Sequence, residues 1–181
     1  MINNNQEQKN KNNYSNKVLY NQDYLTLLKD AGDYKDDVSN YFYKMAAKYH
    51  KKYNFDNTEN NPGYNNEYDA FRHTFMNAMM GLKWGDGLTT FAATLHENDF
   101  KKPANVSKET WEKQNNMDFW NNNVGRQIAK EINAEYNWRG LSDNELEDFV
   151  AEKVMEKMRN NELITSLDTD RVYKKGGVKV L

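Results

Sequence analysis

The sequence predicts an all-α domain, a compact bundle of about five to six helices packed around one central helix at residues 68–84. Apolar residues recur at helical spacing in successive segments, and no segment shows the sustained alternation that is typical of a strand. The stretch YDAFRHTFMNAMMGLKWG, residues 68–85, is apolar on nearly every side. A helix with apolar groups on both sides is usually central in its domain, so this stretch is expected to organise the core.

Two helices are expected before the central one. Residues 1–15 are polar and of low complexity, and they are predicted to be disordered. Helical spacing then predicts one helix over residues 16–31, which a glycine ends, and a second helix that begins at Asp33. Residues 54–67 contain a Pro-Gly pair and are predicted to form a loop.

Further helices are expected after the central one. Helical spacing predicts them at residues 88–100, 107–113, 116–138 and from 142 onward. Ser142 and Glu145 have the spacing of a capping box, in which each side chain bonds the backbone N–H of the other residue. The helical domain is predicted to span residues 16–167, and residues 168–181 to form a tail that frays or makes a short extended pair.

Composition limits the classes of function. The 181 residues suffice for one domain with a core, and a net charge of −2 gives no electrostatic reason to expect a stable nucleic-acid partner. The chain has no cysteine, so any metal must bind histidine, carboxylate or amide groups. No secretory signal peptide and no run of about 18 apolar residues is visible, so the chain is expected to be made in the cytoplasm.

A first set of polar residues lies on the central helix. Asp69, His73 and Asn77 follow one another at intervals of four, so they share one side of the helix. A carboxylate one turn from a histidine can orient the imidazole and raise its basicity, which suits a general base or a metal ligand. The structural alternative is an acid in the first helical turn and a core histidine whose hydrogen bonds are satisfied.

A second set is the His96-Glu97 pair in the following helix. A histidine and a carboxylate can serve an acid–base site or a metal site, but the second histidine of zinc proteases, four residues later, is missing. Asp99 shares a face with His96, whereas Glu97 points elsewhere and also fits a solvated charge.

The most informative set lies in the longest predicted helix. Asp118, Asn122 and Arg126 are spaced by four residues along one flank. Asn121 falls close to the apolar stripe, and Gly125 lies mid-helix, where glycine costs roughly 1 kcal/mol relative to alanine. Local violations of this kind concentrate at functional sites. The structural alternative is close helix packing at Gly125, with Asn121 bonded across the interface.

Together these residues predict a hydrolytic site. His73, His96 and Asp118 are its candidate ligands for a divalent cation. The predicted catalytic residues are His73, His96, Asp118, Asp69 and Glu97, and the predicted substrate-binding residues are Arg72, Arg126, Asn121 and Asn122. Guanidinium groups are expected to hold an anionic part of the substrate. Without sulfur ligands, Zn²⁺, Ca²⁺ and Mg²⁺ all remain open as the cation.

Three motifs resemble one uncharacterised helical domain: DAFRH at 69–73, HE at 96–97 and MDxxNNxxGR at 117–126. That domain is found at the C-terminal ends of Rhs-type, wall-associated and related polymorphic toxins, and the resemblance covers residues 67–130. It implies a secreted antibacterial effector with an enzymatic activity, a cognate immunity protein and delivery by a specialised secretion system. Because the chain begins at Met1 without a large delivery region, a stand-alone effector or an excised toxin domain is expected.

The expected activity is hydrolysis of a cell-envelope molecule, either a phospholipid or a peptidoglycan component or precursor, with transient contact to the envelope of the target cell. The slight negative charge and the interior rich in aromatic residues and methionine favour this class over nucleic acid. Two other classes stay open. One is a metal-dependent nuclease toxin acting on DNA or RNA. The other is a non-enzymatic binding module whose polar residues form a buried hydrogen-bond network.

Overall fold

The computed structural model describes residues 44–55, 64–99 and 102–174, and for residues 91 and 94–99 it describes the backbone alone. These residues form five α-helices and no strand, which confirms the predicted all-α class. The helices are α1 (residues 44–53), α2 (Glu67–Trp84), α3 (Asp86–Asp99), α4 (Lys108–Glu135) and α5 (Asp143–Arg159), with a 3-10 turn at Trp138–Gly140.

Several sequence predictions fall outside the described residues. They include the disordered segment 1–15, the helix over 16–31 and the beginning of the helix expected from Asp33. Residues 168–174 of the predicted tail adopt no regular structure, and the rest of that tail is not described. All described residues belong to one compact unit, residues 42–181. No helix within the described ranges is both long and apolar enough to cross a membrane.

The central helix is α2. It begins after Asn66, whose Oδ1 accepts a hydrogen bond of 3.0 Å from the Asp69 N–H, and it ends at Gly85, which has a φ of 83°. Fourteen of its 18 residues are buried. It contacts α3, α4 and α5 and packs most extensively on α4. These contacts confirm the prediction of a central buried helix at residues 68–84.

Two glycines allow α2 and α4 to cross at very short range. A Cβ on Gly125 of α4 would lie 2.2 Å from the backbone oxygen of Thr74 on α2. A Cβ on Gly81 of α2 would lie 2.6 Å from the Cβ of Ala129 on α4. Atoms do not approach so closely, so the helices can adopt this crossing because both positions lack a side chain. The crossing brings the polar flanks of the two helices together.

The helix α4 is continuous over 28 residues, so the prediction of separate helices at 107–113 and 116–138 was wrong. The Ser107 hydroxyl caps its start by accepting a hydrogen bond of 3.0 Å from the Thr110 N–H. The first four turns contain neither proline nor glycine, so nothing in the backbone chemistry interrupts them. The helix also ends three residues before the predicted boundary, at Glu135.

The helix α5 begins with the predicted capping box. Ser142 Oγ accepts a hydrogen bond of 3.4 Å from the Glu145 N–H, and Glu145 Oε2 accepts one of 2.8 Å from the Ser142 N–H. The hydrogen bonds from Ser142 lower the pKa of Glu145, which keeps its carboxylate ionised beside the helix N-terminus. The capping-box prediction is therefore confirmed.

Aromatic rings and phenol–carboxylate bonds hold α1 against α2 and α5. The ring cluster contains Tyr49, Tyr53, Phe55, Tyr68, Phe71 and Phe75. The Tyr49 hydroxyl donates to Asp148 Oδ1 (2.8 Å), and the Tyr53 hydroxyl donates to Glu152 Oε1 (2.7 Å). Burial, followed by the bond to Asp148, raises the pKa of Tyr49, and the same bond lowers the pKa of Asp148.

The Gly125→Ala variant is expected to lose about 3 kcal/mol of unfolding free energy, because its Cβ would overlap a backbone oxygen and force α4 away from α2. Urea denaturation followed by circular dichroism measures this loss. Gly87→Ala is the matched control, since a Cβ at that helical position meets nothing within 4 Å. The control should gain up to about 1 kcal/mol. Equal stability of Gly125→Ala and the wild type would contradict the tight crossing.

The Tyr49→Phe variant is expected to lose about 1 kcal/mol of unfolding free energy at pH 7, since Asp148 is half exposed and its bond is partly screened. The folded-state pKa of Asp148 is lowered from 3.8, so this stabilisation is present above pH 3.8 and is lost as the pH falls through the folded value. The difference between wild type and variant should therefore shrink in acid. Denaturation at several pH values measures it, and a difference that grows on acidification would refute the assignment.

Candidate functional site

The α2–α4 crossing brings one histidine and two aspartates together. Asp69 and His73 lie one turn apart on α2, and Asp118 lies on the facing flank of α4. His73 Nε2 is 3.3 Å from Asp118 Oδ1 and 3.5 Å from Asp69 Oδ1. One ligand atom of each residue lies within 4.8 Å of the other two, so this Asp–His–Asp cluster could hold a metal ion.

Arg72 places a positive charge beside the cluster. Its Nη2 donates a hydrogen bond to Asp69 Oδ1 and lies 3.1 Å from His73 Nε2. Because a guanidinium has donors and no acceptor, Nε2 must accept in this second contact. The side chains of Arg72 and Asp69 are 5% and 4% exposed, so the ion pair is buried. Burial makes the pair sensitive to the loss of either partner.

Two asparagines determine which nitrogen of His73 carries the proton. Asn77 Nδ2 donates to the His73 backbone oxygen (3.0 Å), which can only accept, so the orientation of the Asn77 amide is fixed. The same Nδ2 donates to Asn122 Oδ1 (2.7 Å), and His73 Nδ1 lies 3.0 Å from that oxygen. His73 Nδ1 must therefore donate its proton to Asn122. The neutral ring keeps its lone pair on Nε2, the nitrogen that faces the two carboxylates.

Asp69 is held in place at its other oxygen. Its Oδ2 accepts a hydrogen bond of 2.7 Å from the Asn65 N–H. Asn65 has a φ of 58°, a left-handed conformation that asparagine adopts more readily than most residues. The turn before α2 thus occupies Oδ2 and leaves Oδ1 directed at Arg72 and His73.

Exposure and charge are unequal across the cluster. The side chain of Asp118 is 19% exposed, against 9% for His73 and 4% for Asp69. Among these three residues, Asp118 therefore offers the most direct access to solvent. Two carboxylates and the Arg72 guanidinium leave one net negative charge when His73 is neutral, and in a partly buried site this charge favours a cation.

Two predicted site residues point away from the cluster. Asn121 Nδ2 donates to the Ile164 backbone oxygen (2.8 Å), and Asn121 Oδ1 accepts from the Ile164 N–H (3.0 Å). Both ends of this amide therefore bind the segment after α5. Arg126 Nη2 donates to Asn123 Oδ1 (3.3 Å), and Arg126 Nε lies 3.9 Å from Asp86 Oδ1.

The His96-Glu97 pair cannot be placed in the same way. Its backbone belongs to α3, and its side chains lie outside the described part of the chain. The catalytic and metal-binding roles of these two residues stay predictions. His73, Asp118, Asp69, Arg72 and Asn122 are the predicted site residues that the structure brings together.

Two contributors to the site were not assigned from the sequence. Asn77 stood out as a polar residue in an apolar helix, but its role depends on Asn122, a residue of the facing helix. The Asn65 contribution is a backbone N–H in a turn, which side-chain spacing does not reveal.

The Asn121→Ala variant is expected to lose about 2–3 kcal/mol of unfolding free energy, because the buried backbone N–H and C=O of Ile164 would lose their partners. Hydrogen exchange at the Ile164 amide should accelerate, while the His73 ring resonances keep their positions. Asn116→Ala is the control: Asn116 bonds the same segment at a part-buried position, so a smaller loss of about 1 kcal/mol is expected. Unchanged exchange at Ile164 would show that this clamp does not hold the segment.

No curated protein and no solved structure matches the chain. A family model matches residues 38–162, which include the described part of α1, all of α2 to α5 and every residue of the Asp–His–Asp cluster. The chain therefore belongs to the family described as a domain of unknown function, DUF6973.

Proposed function

We propose that this chain is a hydrolase whose reaction centre is the Asp–His–Asp cluster, assisted by a divalent cation. The observation that carries the proposal is the environment of His73. Its Nε2 lone pair faces two carboxylates at 3.3 and 3.5 Å, while its Nδ1 proton is held by Asn122. A histidine that ligates a metal ion is typically held in this way through its other nitrogen. Two carboxylates near one imidazole are unfavourable for stability alone, which supports a functional reason for the cluster.

The donor set favours a cation of intermediate hardness. Among the residues whose side chains are described, Asp69 Oδ1, His73 Nε2 and Asp118 Oδ1 would supply two oxygens and one nitrogen. The imidazole ligand suits Zn²⁺ and the two carboxylates suit Mn²⁺, whereas Ca²⁺ prefers a larger set of oxygen ligands. A cation bound here would supply Lewis acidity and lower the pKa of bound water.

The chain's own residues take distinct roles in this proposal. Asp118, the most exposed member of the cluster, orients the water that attacks the substrate. His73 Nε2 would hold the cation, and its action as a base toward that water would require Arg72 to leave the Nε2 lone pair first. Asn122 and Asn77 act as positioning residues, because they contact His73 and hold its tautomer. Arg72, which contacts Asp69 and His73, would hold an anionic part of the substrate.

We further propose a cell-envelope substrate, a phospholipid or a peptidoglycan component. The resemblance of three motifs to polymorphic-toxin domains supports this class, and so does the burial of the cluster. His73 and Asp69 are each less than one-tenth exposed, which suits a small head group or a flexible chain end better than a nucleic-acid duplex. The same context implies an immunity protein as partner and delivery through a secretion system.

Expression of the chain in a bacterial host, with and without an added periplasmic signal, tests the proposal. We expect growth arrest when the signal directs the chain to the periplasm. His73→Ala and Asp118→Asn should each restore survival by about 100-fold or more, because each removes a catalytic group. Colony counts measure survival, and thermal melts establish that both variants fold. Lipid and peptidoglycan analysis of the arrested cells then identifies the substrate.

The matched control is Asp143→Asn, which removes an exposed carboxylate on α5 that pairs with Lys83. This control should stay as toxic as the wild type. Arrest in the cytoplasm alone, with degraded DNA or RNA, would replace the envelope substrate by nucleic acid. Full toxicity of folded His73→Ala and Asp118→Asn would refute the proposed reaction centre.

A further inference from the structure

We propose that Arg72 and a divalent cation exclude one another at the Asp–His–Asp cluster, so that cation binding releases the guanidinium to hold an anionic group of the substrate next to the cation. The inference rests on the cation-assisted centre proposed above. It adds an order of events and a specificity-determining role for Arg72. The substrate class that it names carries a phosphoryl or similar anionic group beside the bond that is hydrolysed.

The first argument is the single lone pair of His73 Nε2. With the Nδ1 proton held by Asn122, the neutral ring has one lone pair in the ring plane, on Nε2, and Arg72 Nη2 donates to it at 3.1 Å. A cation ligated by the same nitrogen would need that lone pair at about 2.0–2.1 Å for Zn²⁺. The N–H donor and the cation therefore cannot use Nε2 together.

The second argument concerns Asp69 Oδ1, the oxygen that both the Arg72 guanidinium and the cation would use. Asp69 Oδ2 accepts from the Asn65 N–H, and Asp69 Oδ1 accepts from Arg72 Nη2. Oδ1 is also the Asp69 oxygen nearest to His73 Nε2, at 3.5 Å. A cation seated between Asp69, His73 and Asp118 would meet the positive guanidinium at close range in a largely buried site, where charges repel strongly.

The third argument is what displacement does to Arg72. Its hydrogen bond to His73 Nε2 would be lost when the cation takes that lone pair, and repulsion from the cation would weaken its hydrogen bond to Asp69 Oδ1. The guanidinium would keep its charge and remain on α2 next to the cluster, where a phosphoryl oxygen can replace the lost acceptor. Arg126, the other predicted anion-binding residue, is engaged with Asn123 and lies near Asp86. Arg72 is therefore the arginine that the cluster couples to the cation.

Thermodynamic linkage turns this geometry into a measurable coupling. If the anion binds the released guanidinium, it must raise cation affinity by the same factor by which the cation raises anion affinity. Removal of the guanidinium charge by Arg72→Gln should do two things. Cation affinity should rise in the absence of anion, because the internal competitor is gone, and the effect of the anion should disappear.

The test titrates the full chain with Mn²⁺ and follows the free ion by electron paramagnetic resonance, with and without methylphosphonate at matched ionic strength. For the wild type, methylphosphonate should lower the Mn²⁺ Kd by about fivefold or more. Arg72→Gln should bind Mn²⁺ at least about fivefold more tightly than the wild type without anion, and its anion effect should fall below about twofold. Arg126→Gln, the matched control, should behave as the wild type does.

The outcomes separate this inference from the proposed function. Mn²⁺ binding that is unchanged or weaker in folded Arg72→Gln, with the anion effect retained, would overturn the inference and leave the cation centre standing. Absence of Mn²⁺ and Zn²⁺ binding in the wild type and in Arg72→Gln would overturn both. Binding that survives Asp118→Asn unchanged would place the ion elsewhere and also overturn both.

If Arg72→Gln does not fold, an experiment on the wild type alone tests whether Arg72 and the cation exclude one another. Nuclear magnetic resonance of ¹⁵N-labelled chain reports on the Arg72 guanidinium and the His73 ring during a Zn²⁺ titration. Zn²⁺ should shift the His73 Nε2 signal and the Arg72 side-chain signals with the same midpoint. A shift of His73 Nε2 with no change at Arg72 would overturn the inference.

Discussion

The close approach of α2 and α4 at Gly125 is the constraint on which the rest of the site depends. Neither Asp118 nor Asn122 could reach His73 if a side chain at Gly125 separated the two helix backbones. The same contact fixes the axial position of α4 relative to α2, so that Asn122 contacts both Asn77 and the ring of His73. A packing requirement therefore selects the partner atoms of the histidine, and through them its tautomer.

The helix α4 is held on two sides by polar contacts of different purpose. One flank meets α2 through Asp118 and Asn122, where a carboxylate and an amide surround the imidazole. The neighbouring Asn121 binds both backbone groups of Ile164 and anchors the segment after α5. Asn122 thus positions the imidazole of His73, whereas the adjacent Asn121 anchors the segment after α5. Buried charge is expensive, and here the carboxylate of Asp69 is paired with the guanidinium of Arg72 instead of being left isolated.

The sequence was sufficient for the helical class, for the central helix and for the capping box, because periodicity and capping are local properties. It also singled out Asp69, His73 and Asp118, since polar groups within apolar helices stand out. It placed Asn121 near the apolar stripe and Asn122 on the flank, but it did not reveal which groups the two amides bind, because those partners lie on other segments of the chain. It also did not reveal the continuity of α4, because a run of polar residues suggests a break between helices. Polar residues without proline or glycine do not end a helix.

The proton position on the His73 ring tests the central claim most directly, because cation binding, base catalysis and the coupling to Arg72 all require a lone pair on Nε2. Nitrogen-15 resonances of the imidazole in the full chain, recorded where the ring is neutral, distinguish the two tautomers. The account predicts a protonated Nδ1 bonded to Asn122 and an unprotonated Nε2. In Asn122→Ala this preference should weaken. A neutral ring with its proton on Nε2 would contradict the account.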